Sequence, residues 1–524
     1  MTLRPFHQAS WTEPILLELS SPGERGLIVP AVEDELRAAV WDPLAGLPAG
    51  LRRSEPPGLP ELSQPQVLRH YLRLSQETLG NDVDIHLGLG TCTMKYSPKV
   101  NEELVRSANV ADLHPLQDDV TVQGMLEVLY RFERMLCEIS GMSRFTFQPA
   151  GGSQGVYANA RMMRAYHEAR GEGHRDEIVT TIFSHPCDGA GPATAGYKVI
   201  TVYAGDMGYP EPEAIKAALS ERTAGLMITN PEDTGLFNPH IEEIVELVHD
   251  AGGLCHYDQA NANGILGVTR ARDAGFDLCQ FNLHKTFSSP HASMGLPCGA
   301  AGVTEELAPY LPTPTVEFDG SRYSLDYDRP QSVGKIRAFH GVPSAVVRSF
   351  AWVLSLGAEG LRQVAETAVL NNNYLAHKLS DVRGLEVSFA DENPSHRLEQ
   401  IRYSLAKLQE ETGVGTLDVA RRTADFGVAS YFPSHEPWIV PEPVTLEPSE
   451  SYSRADLDTY AEIMDEISRE AYEEPETVLE APHRSTIHQM DPAPHDDPER
   501  WALTWRAYRR KSGAGGPTAS VKQE

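Results

Sequence analysis

Lys285 is the residue of this 524-residue chain whose chemistry is easiest to name, because it stands in the segment FNLHKTF directly after an apolar stretch. A lysine at the buried end of a strand can bond to an aldehyde when burial and a neighbouring cation favour its neutral form. His284 and Thr286 flank it. Taken alone, such a lysine is more often a surface residue that lays its stem over apolar neighbours and keeps its charge in water.

Asp258 directly follows the apolar segment LCHY, one β-unit before Lys285. A carboxylate at a buried strand end costs free energy unless it has a partner, and a protonated pyridine nitrogen is such a partner. The carboxylate then keeps the ring cationic, which makes the ring an electron sink. By itself, an aspartate in this place is more often the cap of the next helix.

A glycine-rich turn, QPAGGSQG at residues 148–155, precedes a predicted helix over residues 156–170. Backbone N–H groups at a helix N-terminus bind phosphate, and Ser153 adds a hydroxyl donor. The turn is not a P-loop, because the GK[ST] ending is missing. A turn of this kind is a weak signal on its own.

His185 lies between the glycine-rich turn and Asp258 in the sequence. Its imidazole could stack on a flat ring, or it could equally be a hydrogen-bonded core histidine. The chain order of phosphate-binding turn, carboxylate and lysine carries more weight than each feature alone. Together these features predict that the chain binds pyridoxal 5'-phosphate (PLP) through Lys285.

The elements around these residues alternate between strands and helices from about residue 101 to residue 302. Short buried strands are predicted at residues 177–183, 198–203, 224–229, 254–257 and 278–283. A helix at residues 241–249 ends where Gly252 and Gly253 stop it. The β-α-β alternation predicts an α/β fold with a mostly parallel sheet covered on both faces, and ligands of such sheets bind at the carboxyl ends of the strands.

The domain organisation follows from changes in this pattern. Residues 1–100 are predicted to form an N-terminal arm and a loop on the substrate side of the site, and residues 101–343 the large PLP-binding domain. Residues 344–505 are predicted to form a smaller α+β domain, with helices at 345–356 and 361–379. Residues 506–524 have the composition of a disordered tail.

Composition excludes several classes of function. The net charge of −29 disfavours nucleic-acid binding, since such a surface repels phosphate backbones. The six cysteines are scattered without metal-ligand spacing, so no metal site is predicted and a reducing cytoplasm is expected. The first twenty residues lack the apolar core of a signal peptide, and no apolar run is long enough to span a bilayer.

The chain resembles the PLP-carrying half of the glycine decarboxylase P-protein, which is the second subunit in organisms that split it. The resemblance runs from about residue 13 to about residue 483. Its blocks include ELSSPGERG, GTCTMKYSPK, TNPEDTGLF, YDQAN, NLHKTFSSPH, LDYDRP and IVPEPVTLEPSES. The resemblance implies a fold-type I, aminotransferase-like PLP enzyme.

The resemblance also implies roles for individual residues. Lys285 would hold the PLP aldehyde, Asp258 would pair with the pyridinium nitrogen, Ala260 would lie under the ring and His185 would stack on it. The phosphate would be held by Gly152, Ser153 and Gln154, and His284 would line the cofactor site. The residues implied on the substrate side are Thr91, Cys92, Thr93, His291, Ser293 and Met294.

The chain departs from the family pattern near the cofactor. After His291 the family runs through four glycines, proline and glycine, whereas residues 292–298 here read ASMGLPC. After His185 the family has GTNPAS, whereas residues 186–191 here read PCDGAG. The phosphate turn has Gln154 and Val156 in place of histidine and glutamate, and residues 342–344 read VPS in place of asparagine, phenylalanine and glycine.

These local departures favour the hypothesis that PLP binding is retained while the substrate or the reaction has changed. An amino acid would form an external aldimine and a Cα carbanion or quinonoid, followed by elimination or carbon–carbon bond formation, as in specialised metabolism. One alternative is a genuine glycine decarboxylase subunit that works with a lipoyl carrier protein. A second is a catalytically silent assembly partner, against which the presence of Lys285 and Asp258 argues.

The resemblance implies partners as well. Fold-type I sites usually lie at subunit interfaces, so at least a homodimer, or a heteromer with a PLP-free partner subunit, is expected. The small-molecule partner is an amino acid. A lipoyl carrier protein is expected only if the chain is a glycine decarboxylase subunit.

Overall fold

The computed structural model describes residues 3–40, 42, 44–55, 57–79, 84, 85, 87, 95–289, 297–428, 433–486, 488 and 489. They form two units, which comprise the described residues of 1–5 with 80–481, and of 6–79 with 482–524. The predicted substrate-side residues Thr91, Cys92, Thr93, His291, Ser293 and Met294 lie outside the described residues, as does the predicted tail at 506–524. The predicted boundary between residues 343 and 344 stays a prediction.

The helices and strands are numbered along the chain. The α-helices are α1 Leu16–Leu19, α2 Asp34–Ala39, α3 Gln64–Gln76, α4 Lys99–Arg106, α5 Ala108–Ala111, α6 Gln123–Ser140, α7 Gly152–Ala169, α8 Cys187–Thr194, α9 Pro212–Ala218, α10 Ile241–Asp250, α11 Pro343–Leu379, α12 Ala406–Thr412, α13 Thr416–Thr423, α14 Arg454–Glu473 and α15 Pro475–Leu479. The strands are β1 Arg144–Thr146, β2 Glu177–Thr181, β3 Lys198–Val202, β4 Thr223–Thr229, β5 Leu254–Gln259, β6 Leu278–Asn282, β7 Gly299–Val303, β8 Thr315–Phe318, β9 Tyr323–Asp326, β10 Glu386–Val387, β11 Ile401–Ser404 and β12 Pro443–Leu446. Short 3₁₀ helices lie at Ala49–Leu51, Asp119–Thr121, Ala308–Tyr310 and Ala424–Phe426.

A seven-stranded sheet in the order β1-β7-β6-β5-β4-β2-β3 forms the centre of the larger unit. Strands β3, β2, β4, β5 and β6 run parallel to one another, and β7 is antiparallel to both β6 and β1. Every residue of β2, β5 and β6 is buried, as expected for strands covered on both faces. The prediction of a mostly parallel sheet is confirmed, and the predicted strands agree with β2–β6 to within two residues.

Helix α10 illustrates how the sequence positions the covering layer. Its buried residues Ile241, Ile244, Val245 and Val248 follow the i, i+3, i+4, i+7 spacing of an apolar helix face. The chain then turns at Gly252, whose φ of 84° belongs to the left-handed region that favours glycine. This turn leads directly into β5, the strand that carries Asp258.

The C-terminal part of the larger unit contains a three-stranded antiparallel sheet, in the order β10-β11-β12, packed with helices around a separate hydrophobic core. Two helices were predicted at 345–356 and 361–379, and α11 covers both. The break between them is local, because Gly357 has φ 65° and ψ −179° inside an otherwise helical segment. The first half of α11 packs in the core of the large sheet, and its end at Leu375 and Leu379 packs in the second core.

The smaller unit holds α1, α2 and α3. Within it, Glu13 accepts hydrogen bonds from His70 at 2.9 Å and Arg73 at 3.0 Å, which anchors the segment before α1 to α3. The ion pairs hold the pKa of Glu13 below its usual range, although its burial acts in the opposite direction. The sequence predicted an extended arm with its first helix near residue 66, and α1 and α2 were not predicted.

Within the described parts of the chain, no helix combines the length and the apolar character that crossing a bilayer requires.

Gly235 tests the close packing of the segment that follows β4 against the backbone at Gln400. Its φ is 75°, and a Cβ there would overlap the carbonyl oxygen of Gln400. Gly320 has a similar φ of 99° with open space around the Cβ position. Gly320→Ala should therefore lower the free energy of unfolding by about 1 kcal/mol, which is the cost of the left-handed backbone alone.

Gly235→Ala should lower the free energy of unfolding by about 3 kcal/mol or more, because backbone must move as well. Urea unfolding followed by circular dichroism measures both variants under the same conditions. Equal losses in the two variants would contradict the close approach of the Gly235 and Gln400 segments.

Candidate active site

A cavity lies at the carboxyl ends of the central parallel strands, where ligands of open α/β sheets bind. Four of the residues predicted from the sequence line it, namely His185, Asp258, Ala260 and Lys285. They come from the end of β5 and from the segments that follow β2, β5 and β6. The parallel arrangement of those strands therefore brings together residues that are a hundred positions apart in the sequence.

Asp258 is the fifth residue of β5 and is 1% exposed. Its Oδ1 accepts hydrogen bonds from the Ala260 backbone N–H at 2.8 Å and from Gln280 Nε2 at 2.6 Å. Burial raises the pKa of Asp258, whereas these two hydrogen bonds and the charge of Lys285 act to lower it. Gln280 is the β6 residue paired with Asp258 in the sheet register, so strand pairing itself supplies the donor.

Lys285 lies in the turn after β6 and is 4% exposed. Its backbone N–H donates to the Asn282 carbonyl at 3.0 Å. The neighbouring Thr286 Oγ1 accepts from the Ala262 N–H at 2.8 Å, which joins this turn to the loop after β5. The lysine and the aspartate thus stand on two loops that are fixed to each other.

His185 precedes α8, and its Nδ1 accepts a hydrogen bond from the Cys187 backbone N–H at 3.1 Å. This bond uses the Nδ1 lone pair, so the ring proton sits on Nε2. Burial lowers the pKa of His185 to about 3, and the charges of Lys285 and His435 act in the same direction. The ring is therefore a neutral, flat surface on the cavity wall.

The predicted phosphate-binding residues Gly152 and Ser153 begin α7, where backbone N–H groups have no partner inside the helix. A Cβ on Gly152 would lie 3.0 Å from Asn282 Nδ2, and one on Gly151 would meet Pro297 and His284. The glycines let the start of α7 approach the end of β6 closely. Gln154 is engaged locally, since its Oε1 accepts from the Ala150 N–H at 2.8 Å.

His284 lies beside this turn and does not line the cavity. Its Nδ1 accepts from the Cys298 backbone N–H at 3.1 Å. A Cβ on Gly151 would come within 3.9 Å of His284 Cε1. The structure thus brings Lys285, Asp258, His185 and Ala260 to one cavity and places His284 at the start of α7.

Ten further residues on the cavity wall were not predicted, and four of them, Glu399, Gln400, His435 and Glu436, come from the C-terminal part of the chain. The His435 ring lies edge-on to the His185 ring, with 6.0 Å between their centroids. Burial and the charge of Glu447 raise the pKa of Glu399 to about 8. These residues stand in no chemical motif and reach the cavity only through long-range packing, so the sequence held no local signal for them.

A search among known proteins places the chain among named relatives. Residues 364–495 match the family described as "Glycine dehydrogenase, C-terminal domain". The chain is 44% identical over 515 residues to a probable glycine dehydrogenase (decarboxylating) subunit 2 of Pyrococcus abyssi, covering 97% of this chain and 99% of that protein. The protein of the same name from Caldanaerobacter subterraneus is 42% identical over 482 residues, covering 91% and 96%.

Solved structures share the fold. A crystal structure titled glycine decarboxylase (P-protein) of the glycine cleavage system, in inhibitor-bound form, matches with a TM-score of 0.68 and 19% identity, over 84% of this chain and 99% of that one. Sphingosine-1-phosphate lyase of Burkholderia pseudomallei matches with a TM-score of 0.59 and 12% identity, over 83% and 97%. The predicted fold class, fold-type I α/β with a smaller C-terminal part, is confirmed.

The raised pKa of Glu399 predicts how the free energy of unfolding changes with pH. Because its pKa in the folded protein is about 8 and its ordinary value is 4.5, its contribution to stability is complete below pH 4.5 and is lost as pH rises to about 8. Glu399→Gln removes this loss. Between pH 5 and 8, the unfolding free energy of the variant should fall by about 3 kcal/mol less than that of the wild type.

Urea unfolding at a series of pH values measures this difference. Glu410→Gln, which changes an exposed carboxylate in α12, is the control and should follow the wild type. Parallel pH profiles for Glu399→Gln and the wild type would show that Glu399 is not a buried acid.

Proposed function

Because the chain belongs to the family of glycine dehydrogenase (decarboxylating) subunit 2, we propose that it is a PLP-dependent glycine decarboxylase subunit acting on glycine itself. The sequence left this function as the alternative to the hypothesis of a changed substrate or reaction. Identity of 44% along 97% of the chain supports it over the divergence hypothesis, which rested on local differences near the cofactor. The single observation that carries the proposal in the structure is the shared cavity of Lys285, Asp258 and His185.

The residues of the cavity fit PLP. Asp258 is a buried carboxylate with two donors on Oδ1, while its Oδ2 has a thiol at 3.9 Å, which leaves a place for a strong cationic donor such as a pyridinium N–H. Ala260 adds a small side chain to the wall. The start of α7 offers backbone N–H groups where a Cβ on Gly152 would be crowded.

When bound, PLP would supply an electron sink for the electron pair left as a bond to the substrate Cα breaks. Lys285 would bond to the PLP aldehyde, and its amine, once released by the substrate, would move a proton at Cα. Asp258 would hold the proton on the ring nitrogen. Gln280 and the Ala260 N–H keep that carboxylate in one orientation.

His185 would pack its neutral face on the cofactor ring. The hydrogen bond from the Cys187 N–H fixes the orientation of the imidazole, and its low pKa keeps a positive charge away from a ring that must itself be cationic. His435 packs against the edge of His185. We propose Gly152 and Ser153 as phosphate donors, and Gln154 as a residue that shapes their turn.

We also propose that the chain works with a separate PLP-free subunit and passes its product to a lipoyl carrier protein. The name "subunit 2" of the relatives supports the first of these partners. The smaller unit exposes a series of apolar side chains that a partner could cover, with exposed fractions of 70–88% at Leu27, Ile28, Val29, Leu51 and Leu59. A cytoplasmic location remains a prediction from the cysteine pattern.

Exchange of labelled carbon dioxide into glycine tests the activity. The chain, combined with the first subunit and a lipoyl carrier protein of the same source, should catalyse the exchange. Lys285→Ala should remove the visible absorption of the bound cofactor and lower the exchange on the order of 10⁴-fold, because both the bond to PLP and the Cα proton transfer depend on this amine. Lys216→Ala, an exposed lysine of α9, is the control.

No exchange with glycine, together with a spectral change on adding a larger amino acid, would contradict glycine as the substrate. It would restore the divergence hypothesis.

The partner surface has its own test. Ile28→Asp places a charge on the exposed apolar series and should weaken binding to the first subunit about tenfold or more, measured by calorimetry or analytical ultracentrifugation. Leu116→Asp changes a residue of the larger unit with a comparable exposed fraction of 71% and serves as the control. Equal affinities of the two variants would exclude this surface.

A further inference from the structure

A second buried carboxyl group, that of Asp188, lies beside Asp258. Asp188 stands in the first turn of α8 and is fully buried. One potential ligand atom from each of Cys187, Asp188 and Asp258 lies within 4.8 Å of the other two. Thr229, the β4 residue in register with Asp258, donates from Oγ1 to Asp188 Oδ2 at 3.3 Å. The other oxygen, Oδ1, has no hydrogen-bond donor among the described residues.

Two carboxylates this close and this deeply buried do not both carry charge, so the pair retains a proton. The hydrogen bonds decide where the proton sits. Asp258 accepts from two N–H donors and lies near Lys285, whereas Asp188 has one long bond from a hydroxyl. Asp258 is therefore the charged member and Asp188 the protonated one. Burial and the charge of Asp258 both raise the pKa of Asp188.

We propose that Asp188 is a positioning residue that donates its carboxyl proton in a hydrogen bond to Asp258, and thereby sets how firmly Asp258 holds a proton on the cofactor ring nitrogen. The part that concerns the ring rests on the proposed function. The acid pair itself does not, since it is formed by the chain alone. A donor on Asp258 lowers the basicity of that carboxylate, so the ring nitrogen loses its proton at a lower pH than it would beside an unshared carboxylate.

The groups that face Asp188 come from each element around it. Asp258 lies on β5, Cys187 on α8 itself, and Glu232 in the segment after β4. Lys285 acts on the same cluster from the loop after β6, and His185 in the loop after β2 accepts the Cys187 backbone N–H. Glu232 is itself a buried acid, whose pKa is raised to about 8 by burial. It lies near Asp188, accepts a hydrogen bond from Thr181, and provides a matched control.

The apo-protein tests the acid pair without the cofactor. The folded-state pKa of Asp188 lies above its ordinary value of 3.8, so the stability that the protonated pair contributes is lost as pH rises above that value. The urea midpoint should fall less steeply with pH in Asp188→Asn and in Asp258→Asn than in the wild type. The double variant should change the slope by less than the sum of the two single changes.

Additive changes, or an Asp188→Asn profile parallel to the wild type, would overturn the proposal. So would a rise of the wild-type midpoint on adding Zn²⁺ that Asp188→Asn abolishes, because the cluster would then be a metal site. These readouts do not require PLP. If the wild-type protein fails to bind PLP, the proposed function is contradicted, but the test of the acid pair is still valid.

The holoenzyme tests the link to the ring. With PLP labelled by ¹⁵N in the ring, the nitrogen chemical shift reports its protonation directly. In Asp188→Ala, which removes the donor, the titration of this nitrogen should move to higher pH by about one unit or more. Asp188→Asn keeps an N–H donor and should stay closer to the wild type. Glu232→Ala, which truncates another buried acid, should leave the titration in place. An unchanged titration in Asp188→Ala, alongside a changed one in Asp258→Asn, would show that Asp188 has only a packing role.

Discussion

The structure of the site depends on one buried charge, the carboxylate of Asp258 at the end of β5. Burial raises the pKa of this carboxyl group, and the hydrogen bonds from Gln280 on the adjacent strand and from the Ala260 N–H of its own loop act against that shift. The Gln280 donor faces Asp258 only in the correct register of β5 and β6. The central sheet is therefore more than a scaffold, because a slip of one residue would turn the donor away from the carboxylate.

The sequence was sufficient wherever a short segment determines its own structure. Strands β2–β6, helix α10 and the positions of Asp258 and Lys285 after apolar strands follow from patterns of fewer than ten residues. The opposite wall of the cavity could not be predicted, since Glu399, Gln400 and His435 reach it through the packing of the C-terminal sheet. The interruption of α11 at Gly357 agrees with the sequence, since the two predicted helices at 345–356 and 361–379 lie on either side of it. The placement of His284 beside Gly151, off the cavity wall, depends on the fold of a distant turn.

The segment at residues 186–191 shows why local departures from a family pattern are hard to interpret. In the sequence, the difference between PCDGAG and the family pattern favoured a changed substrate or reaction. In the structure, Cys187 and Asp188 are buried in the first turn of α8 and lie against Asp258. The altered side chains thus touch the residue that would control the ring nitrogen. Under the role proposed for Asp188, a change there would alter the protonation of the cofactor ring and is compatible with the same substrate.

The cavity is assembled from both halves of the chain, with Lys285 and Glu399 more than a hundred residues apart in the sequence. During synthesis on the ribosome, the lysine therefore emerges roughly ten seconds before the residues that complete its pocket. In that interval the large sheet can form, since all seven of its strands precede residue 304. A half-built site of this kind binds its ligand poorly. The wall of the cavity is complete only once the chain has been synthesised through Glu436.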